Sequence, residues 1–289
     1  MTPTPEPTDG ARGWFQRHPV IAYVALAYTL SWLTWLPALL GFGGTALIIL
    51  GGFGPLVAAL VVTRYTGSSV QAWARQIIRW RVRFRYYLYA LGLPLLLYGL
   101  VDVILVLFGY DINPALLLER VPAYLATLAF VAVLGGGLEE PGWRGFALPR
   151  LQQRYTPVVA TLILGLVWGV WHVPLYGPLG FVVPLVLAFF YTWLYNRTGS
   201  VLLCILLHAS FTPAQDHLVL LPTAVVEAEP LGTIDFVIFA TYVAAALLLV
   251  GLTRGRLGRQ PGPNSTHDAQ VEGRPAVPRT AEREEENTP

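Results

Sequence analysis

Between residues 20 and 253 the chain runs through one apolar stretch after another, each close to the ~20 residues that an α-helix needs to cross a hydrocarbon core. The runs cover about residues 20–40, 45–63, 86–109, 121–139, 157–176, 179–196, 200–221 and 233–253. Backbone polar groups have no water to bond in lipid, so each run must satisfy them internally as a helix or close into a barrel. The ten-residue apolar–polar alternation of a barrel strand is absent, which leaves helices. Only 12% of residues are charged, against roughly 25% in an ordinary soluble domain. The expected fold is therefore all-α: a polytopic membrane protein of about eight transmembrane helices.

Loop charge gives an orientation. With the N-terminus inside and the chain alternating sides, fifteen arginines fall on the inner side and only Arg120 on the outer. The outer loops instead hold Asp111, Glu119, Asp216, Glu227, Glu229 and Asp235. An even number of spans with both termini cytoplasmic is expected, in the plasma membrane of a prokaryote. The first run is too long for a signal-peptide core and lacks a small-residue cleavage site, so it is read as a retained span. Residues 1–17 are expected to be a disordered tail, 18–258 the helical bundle, and 259–289 a second tail with almost no bulky apolar residues. The one cysteine, Cys204, excludes an intramolecular disulfide.

Residues 64–87, "RYTGSSVQAWARQIIRWRVRFRYY", mix six arginines with Trp73, Ile77, Ile78 and Trp80. Their place between two spans points to an amphipathic interfacial helix on anionic headgroups rather than to nucleic acid. The lipid bilayer is the expected partner of this surface.

Ionisable side chains inside a span cost roughly 2.5–3.5 kcal/mol on insertion scales and mark functional candidates. Here they are Asp102, Glu139, Glu140, Arg144, His172 and His208. Glu139 and Glu140 are placed at the cytoplasmic end of the fourth span. Arg144 follows Glu140 by four residues, a spacing that pairs side chains on a helix face. Pro141 predicts a kink or a fresh helix starting there. If Arg144 neutralises Glu140, Glu139 is the freer carboxylate and the better general base. Trp168 precedes His172 by one helical turn, while His208, Thr212 and Asp216 form a polar stripe. Packing and interhelical hydrogen bonding explain any one of these residues alone.

Three spans each carrying a carboxylate or imidazole favour a joint role. Glu139, His172 and His208 are a two-histidine, one-carboxylate set able to hold a divalent metal such as zinc with an open position. The same set is equally compatible with metal-free activation of water. Depth is the difficulty: simple alternation puts His172 toward the outer end of its span and the glutamates near the cytoplasm. Asp102 is read as a helix-bridging residue.

The segments "EEPGWRGFALPRL" (139–151), "WGVWH" (168–172) and "LLHASFT" (206–212) resemble, in order and spacing, the three signatures of the CPBP family of intramembrane proteases. That family includes the type II CAAX prenyl endopeptidases and the Abi and lysostaphin-resistance-type proteins. The resemblance covers about residues 120–215 and implies a CPBP-type helical bundle hydrolysing a peptide bond of a membrane-associated, CAAX-like protein or peptide. It implies that Glu139 acts with His172 on water, that Glu140, Arg144 and Trp168 support the site, and that His208 polarises the scissile carbonyl. The family's Asn four residues after that histidine is Thr212 here, which offers one rotatable donor instead of two fixed ones. Two other readings use the same residues: a non-catalytic membrane adaptor or immunity factor, and a proton-coupled transporter.

Overall fold

The computed structural model describes residues 11–228 and 230–259, all of them in helices, turns and connecting segments with no strand. Residues 1–10 and 260–289, which hold most of the two expected tails, lie outside the described residues, as does Glu229. Ala11–Arg17 form a short helix, α1, so helical structure already begins within the expected N-terminal tail. Helix α2 (Pro19–Leu39) starts on a proline whose missing N–H needs no partner at a helix start. It is followed by α3 (Gly44–Gly52) and α4 (Gly54–Tyr65), with Phe53 between them.

Helix α5 (Val70–Ile77) is short and is capped by Ser69, whose hydroxyl accepts from the Ala72 N–H at 3.1 Å. Then come α6 (Arg85–Leu107) and α7 (Ala115–Val133). Past a one-turn 3-10 segment at Gly136–Glu139, the chain continues as α8 (Glu140–Gly142), a π-helical turn at Trp143–Ala147, and α9 (Leu148–Leu151). The long helices α10 (Pro157–Tyr176), α11 (Val182–Thr198) and α12 (Val201–His217) follow, then the single turn α13 (Thr223–Glu227) and finally α14 (Thr233–Leu252).

Six stretches among the described residues are long and apolar enough to cross a membrane, and the chain is an integral, multi-pass helical membrane protein. Helices α11 and α12 occupy the other two expected positions at 17 residues each, the lower limit of a crossing. Large apolar side chains point outward along the spans, as lipid-facing helices require: Leu96 is 69% and Leu107 81% exposed.

The fourth span departs from expectation, and the departure matters most. The apolar stretch does not stop at 139: Ala115–Leu151 runs for 37 residues, interrupted after α7, and the two glutamates sit at that interruption. Gly135, Gly136 and Gly137 make the break, since each disfavours helix by about 1 kcal/mol relative to Ala. The Leu134 and Gly135 N–H groups both turn back to the Phe130 carbonyl. Helix resumes at Glu140 with Pro141 in its first turn, as the proline predicts. Such a break is tolerated at membrane depth only when buried in protein. Here α12 covers it: a Cβ on Gly137 would meet the Ile205 side chain at 3.0 Å.

Asp102 and Arg120 organise the connection after α12. The Asp102 carboxylate accepts from the Leu220 N–H at 3.0 Å, while Arg120 donates to the Val219 carbonyl and, at 2.9 Å, to that of Leu221. Arg120 is thus a loop clamp, and Asp102 holds a loop rather than bridging two helices.

Close helix contact gives a test. A Cβ on Gly169 would run into the backbone of Phe181, with its Cα only 2.8 Å away, whereas one on Gly99 meets nothing within 4 Å. Gly169→Ala should lower the thermal unfolding midpoint in detergent, at a cost of about 1–3 kcal/mol. Gly99→Ala should leave it unchanged or raise it.

Candidate active site

At the centre of the bundle lie two charges with no exposure to solvent. Glu140 and Arg144 are both fully buried, and one guanidinium nitrogen, Nη1, donates to both carboxylate oxygens at 2.8 and 2.9 Å. The four-residue spacing pairs them as the sequence predicts, within the renewed helix. The guanidinium is sandwiched: its Cζ lies 4.2 Å from the ring centres of Trp168 and Tyr191. Arg144 Nε and Nη2 have no hydrogen-bond acceptor among the described residues, and the aromatic faces take their place. Glu140 has a second partner, His208 on α12, whose Nδ1 donates to Oε1 at 3.0 Å.

Glu139 is held differently. Its Oε2 accepts from the indole N–H of Trp168 at 2.8 Å and, less closely, from that of Trp143 at 3.4 Å. Two neutral donors orient the carboxylate without neutralising it. Its Oε1 faces the 3-10 turn: a Cβ on Gly136 would lie 3.0 Å from that oxygen and 2.6 Å from His208 Nε2. Only a glycine lets a carboxylate oxygen and an imidazole nitrogen approach the turn this closely. Even a methyl group there would press on both.

His172 lies one turn past Trp168, and its Nδ1 donates to the Trp168 carbonyl at 2.9 Å. A carbonyl only accepts, so Nδ1 carries the proton in the neutral ring and Nε2 is left with its lone pair. The His172 ring stands edge-on to that of Trp168 at 5.6 Å, and the His208 ring stands edge-on to the same indole at 5.7 Å. Trp168 is thus the hub between both histidines and Glu139. Glu139 and His172 both lie against Trp168, so the depth mismatch expected from simple alternation does not separate them.

The candidates do not all converge. Thr212 turns its hydroxyl back to the His208 carbonyl of its own helix at 3.1 Å, and Asp216 is exposed, so the polar stripe on α12 contributes His208 alone to this cluster. No group of three His, Cys, Asp or Glu side chains among the described residues is arranged to hold a metal ion. Glu139, His172 and His208 are thus not gathered into a ready-made ligand set in this geometry, although their hydrogen bonds to Oε2 and the two Nδ1 atoms leave Oε1 and both Nε2 atoms uncommitted.

Three contributors carry no charge and were not legible as site residues. Tyr191 from α11 closes one face of Arg144. Tyr23 from α2, fully buried, packs edge-on to Trp143 at 5.4 Å and seats its hydroxyl against Gly142. Trp32 from the same helix donates to the Trp171 carbonyl at 3.1 Å, steadying the turn that carries His172. Only Trp143, inside the first motif, had a sequence signal.

Removing one member of a buried ion pair strands the other and typically costs about 3–5 kcal/mol, whereas replacing both costs less. Arg144→Met should sharply destabilise the protein in detergent unfolding. Adding Glu140→Gln to it should recover part of that loss.

Residues 121–212 match the family model for Type II CAAX prenyl endopeptidase Rce1-like proteins. Over 46 residues the chain is 44% identical to the protein named CAAX prenyl protease 2 of Methanococcus maripaludis, an alignment covering 16% of this chain and 17% of that protein. The chain therefore spans under a fifth of that relative's length by similarity. The matched segment contains all three motifs and the whole cluster around Trp168. The similarity to CAAX prenyl proteases is thus shown for that segment.

Proposed function

We propose that the protein is an intramembrane endopeptidase that hydrolyses a peptide bond of a membrane-associated protein or peptide, with CAAX-like termini as the nearest substrate class. The observation that carries this reading is the approach of Glu139 Oε1 and His208 Nε2 to one side-chain-free position, Gly136, while the indole of Trp168 holds the other oxygen of Glu139 and lies beside both histidine rings. Glu139, oriented through Oε2 by two indoles, takes a proton from water through Oε1. The water oxygen attacks the scissile carbonyl. A proton held on His208 Nε2 throughout, with the Nδ1–H anchored on Glu140, donates a hydrogen bond to the developing oxyanion. His172 Nε2 takes the water proton from Glu139 and passes it to the amine as the tetrahedral intermediate collapses and the C–N bond breaks, which returns Glu139 to the carboxylate. Glu140 and Arg144 position His208 and take no part in bond making. Thr212 plays no part in holding the oxyanion, because its hydroxyl is committed to its own helix. Every step uses side chains of this chain and does not depend on a bound metal. The membrane orientation goes with this reading: both termini on the arginine-rich, cytoplasmic side of a prokaryotic plasma membrane.

Glu139→Gln keeps the volume and loses the base, so cleavage of a membrane-anchored reporter should fall by about 10²–10⁴-fold with insertion and expression unchanged. His172→Ala should fall similarly. Biological activity that survives in both variants supports the adaptor reading instead, and pH-driven solute flux in liposomes supports the transporter. Gly136→Ala tests this close approach, since its methyl group would press on His208 Nε2 and Glu139 Oε1. That variant should fold and insert normally yet cleave at least tenfold more slowly, an order of magnitude being about 1.4 kcal/mol of lost transition-state stabilisation.

A further inference from the structure

The arginine-rich stretch between α4 and α6 is more than a belt lying on headgroups. Residues 64–87 contain six arginines and no Asp or Glu. Arg75, Arg79 and Arg81, with Gln76, line a cavity of about 390 Å³. Arg81 and Trp80 also border a second, shallower one of about 740 Å³ with Arg83 and Phe84. No carboxylate among the described residues forms an ion pair with any of these arginines. Beside them stand three apolar side chains turned outward: Ile78, Trp80 and Phe84, 70%, 61% and 73% exposed. Concentrated positive charge lining a concavity, next to exposed aromatic groups, matches a ligand with an anionic head and an apolar body at a membrane interface.

The opposite face of this segment is joined to the catalytic cluster at two points. Trp73 is buried, and its indole N–H donates to the Pro141 carbonyl at 3.0 Å, in the turn that carries Glu139 and Glu140. The Arg79 carbonyl accepts from the Ser200 hydroxyl at 2.6 Å. Ser200 is the N-cap of α12, the helix that presents His208, and its hydroxyl also accepts from the Leu203 N–H. A ligand that fixes α5 and the 78–84 segment therefore bears on both halves of the site.

We infer that Arg75, Arg79 and Arg81 form a headgroup site for an anionic phospholipid, and that its occupancy stabilises the active arrangement through Trp73–Pro141 and Arg79–Ser200. The binding half stands on the surface alone. The coupling half rests on the proposed peptidase activity.

The test uses the full chain in nanodiscs of phosphatidylcholine, with or without phosphatidylglycerol. Two quantities are measured: phosphatidylglycerol retained on the protein by native mass spectrometry, and the rate of reporter cleavage. Wild type should retain phosphatidylglycerol in preference to phosphatidylcholine and cleave severalfold faster in its presence. The triple variant Arg75→Gln/Arg79→Gln/Arg81→Gln should retain roughly tenfold less, given about fivefold per arginine at most near an anionic surface, and should cleave at the same rate in both discs. Trp73→Phe keeps the ring and the cavity but loses the N–H donor. It should bind the lipid like wild type while its rate no longer responds. Equal retention by wild type and triple variant overturns the site, and a full lipid response in Trp73→Phe overturns the coupling through Pro141. If wild type retains the lipid but cleaves nothing in either disc, the peptidase reading fails and the lipid site stands.

Discussion

A carboxylate and a guanidinium without solvent contact persist in the middle of a membrane protein only together. Separately, each would cost several kcal/mol to bury. Glu140 and Arg144 meet this constraint with two short bonds from one nitrogen, and the flanking rings of Trp168 and Tyr191 complete the enclosure. The rest of the centre depends on that pair. It supplies the acceptor that fixes His208, and it places the indole that orients Glu139 against the cation. Two adjacent glutamates thereby have unlike environments: one is neutralised by a full charge, and the other is steered by neutral donors.

The break in the fourth span makes this possible. An uninterrupted helix would point residues 139 and 140 about 100° apart around its axis with their backbone fully committed. Three successive glycines and Pro141 open the ladder there instead, and the π-helical turn at Trp143–Ala147 offsets Trp143 and Arg144 from ordinary register. Breaking helix in a membrane is costly, and the cost is met by burial against α12, α4 and α5. The Trp73 N–H on the Pro141 carbonyl is one of the bonds that satisfies the exposed backbone.

How much of this was legible in the sequence follows from what each signal measures. Hydropathy reports the environment of a run, so the placing of long helices at the eight apolar runs matches the reading, with α11 and α12 at the short limit. Hydropathy does not report continuity: the run ending at 139 and the polar motif after it looked like a helix and its end, yet helical turns continue through the motif to Leu151. The Glu140–Arg144 pair was legible because it is local, four residues on one face. The His208–Glu140 bond spans 68 residues in sequence and was not legible, since the resemblance assigned His208 to the scissile carbonyl and not to Glu140. Tyr23 and Tyr191 carried no signal, being apolar-compatible residues in apolar helices. Thr212 matched a motif position, but its hydroxyl has a nearer acceptor at His208 O, a competition that spacing alone cannot rank.

The central claim is that Glu139 and His172, on two different helices and linked by Trp168, act as one unit on one water. A double-mutant cycle on kcat/KM for reporter cleavage, using Glu139→Gln, His172→Ala and the combined variant, measures this directly. Residues that act as a unit predict a double variant about as slow as the slower single one. Losses that multiply across the two substitutions would mean independent roles and would contradict the assembly of a single site at the broken span.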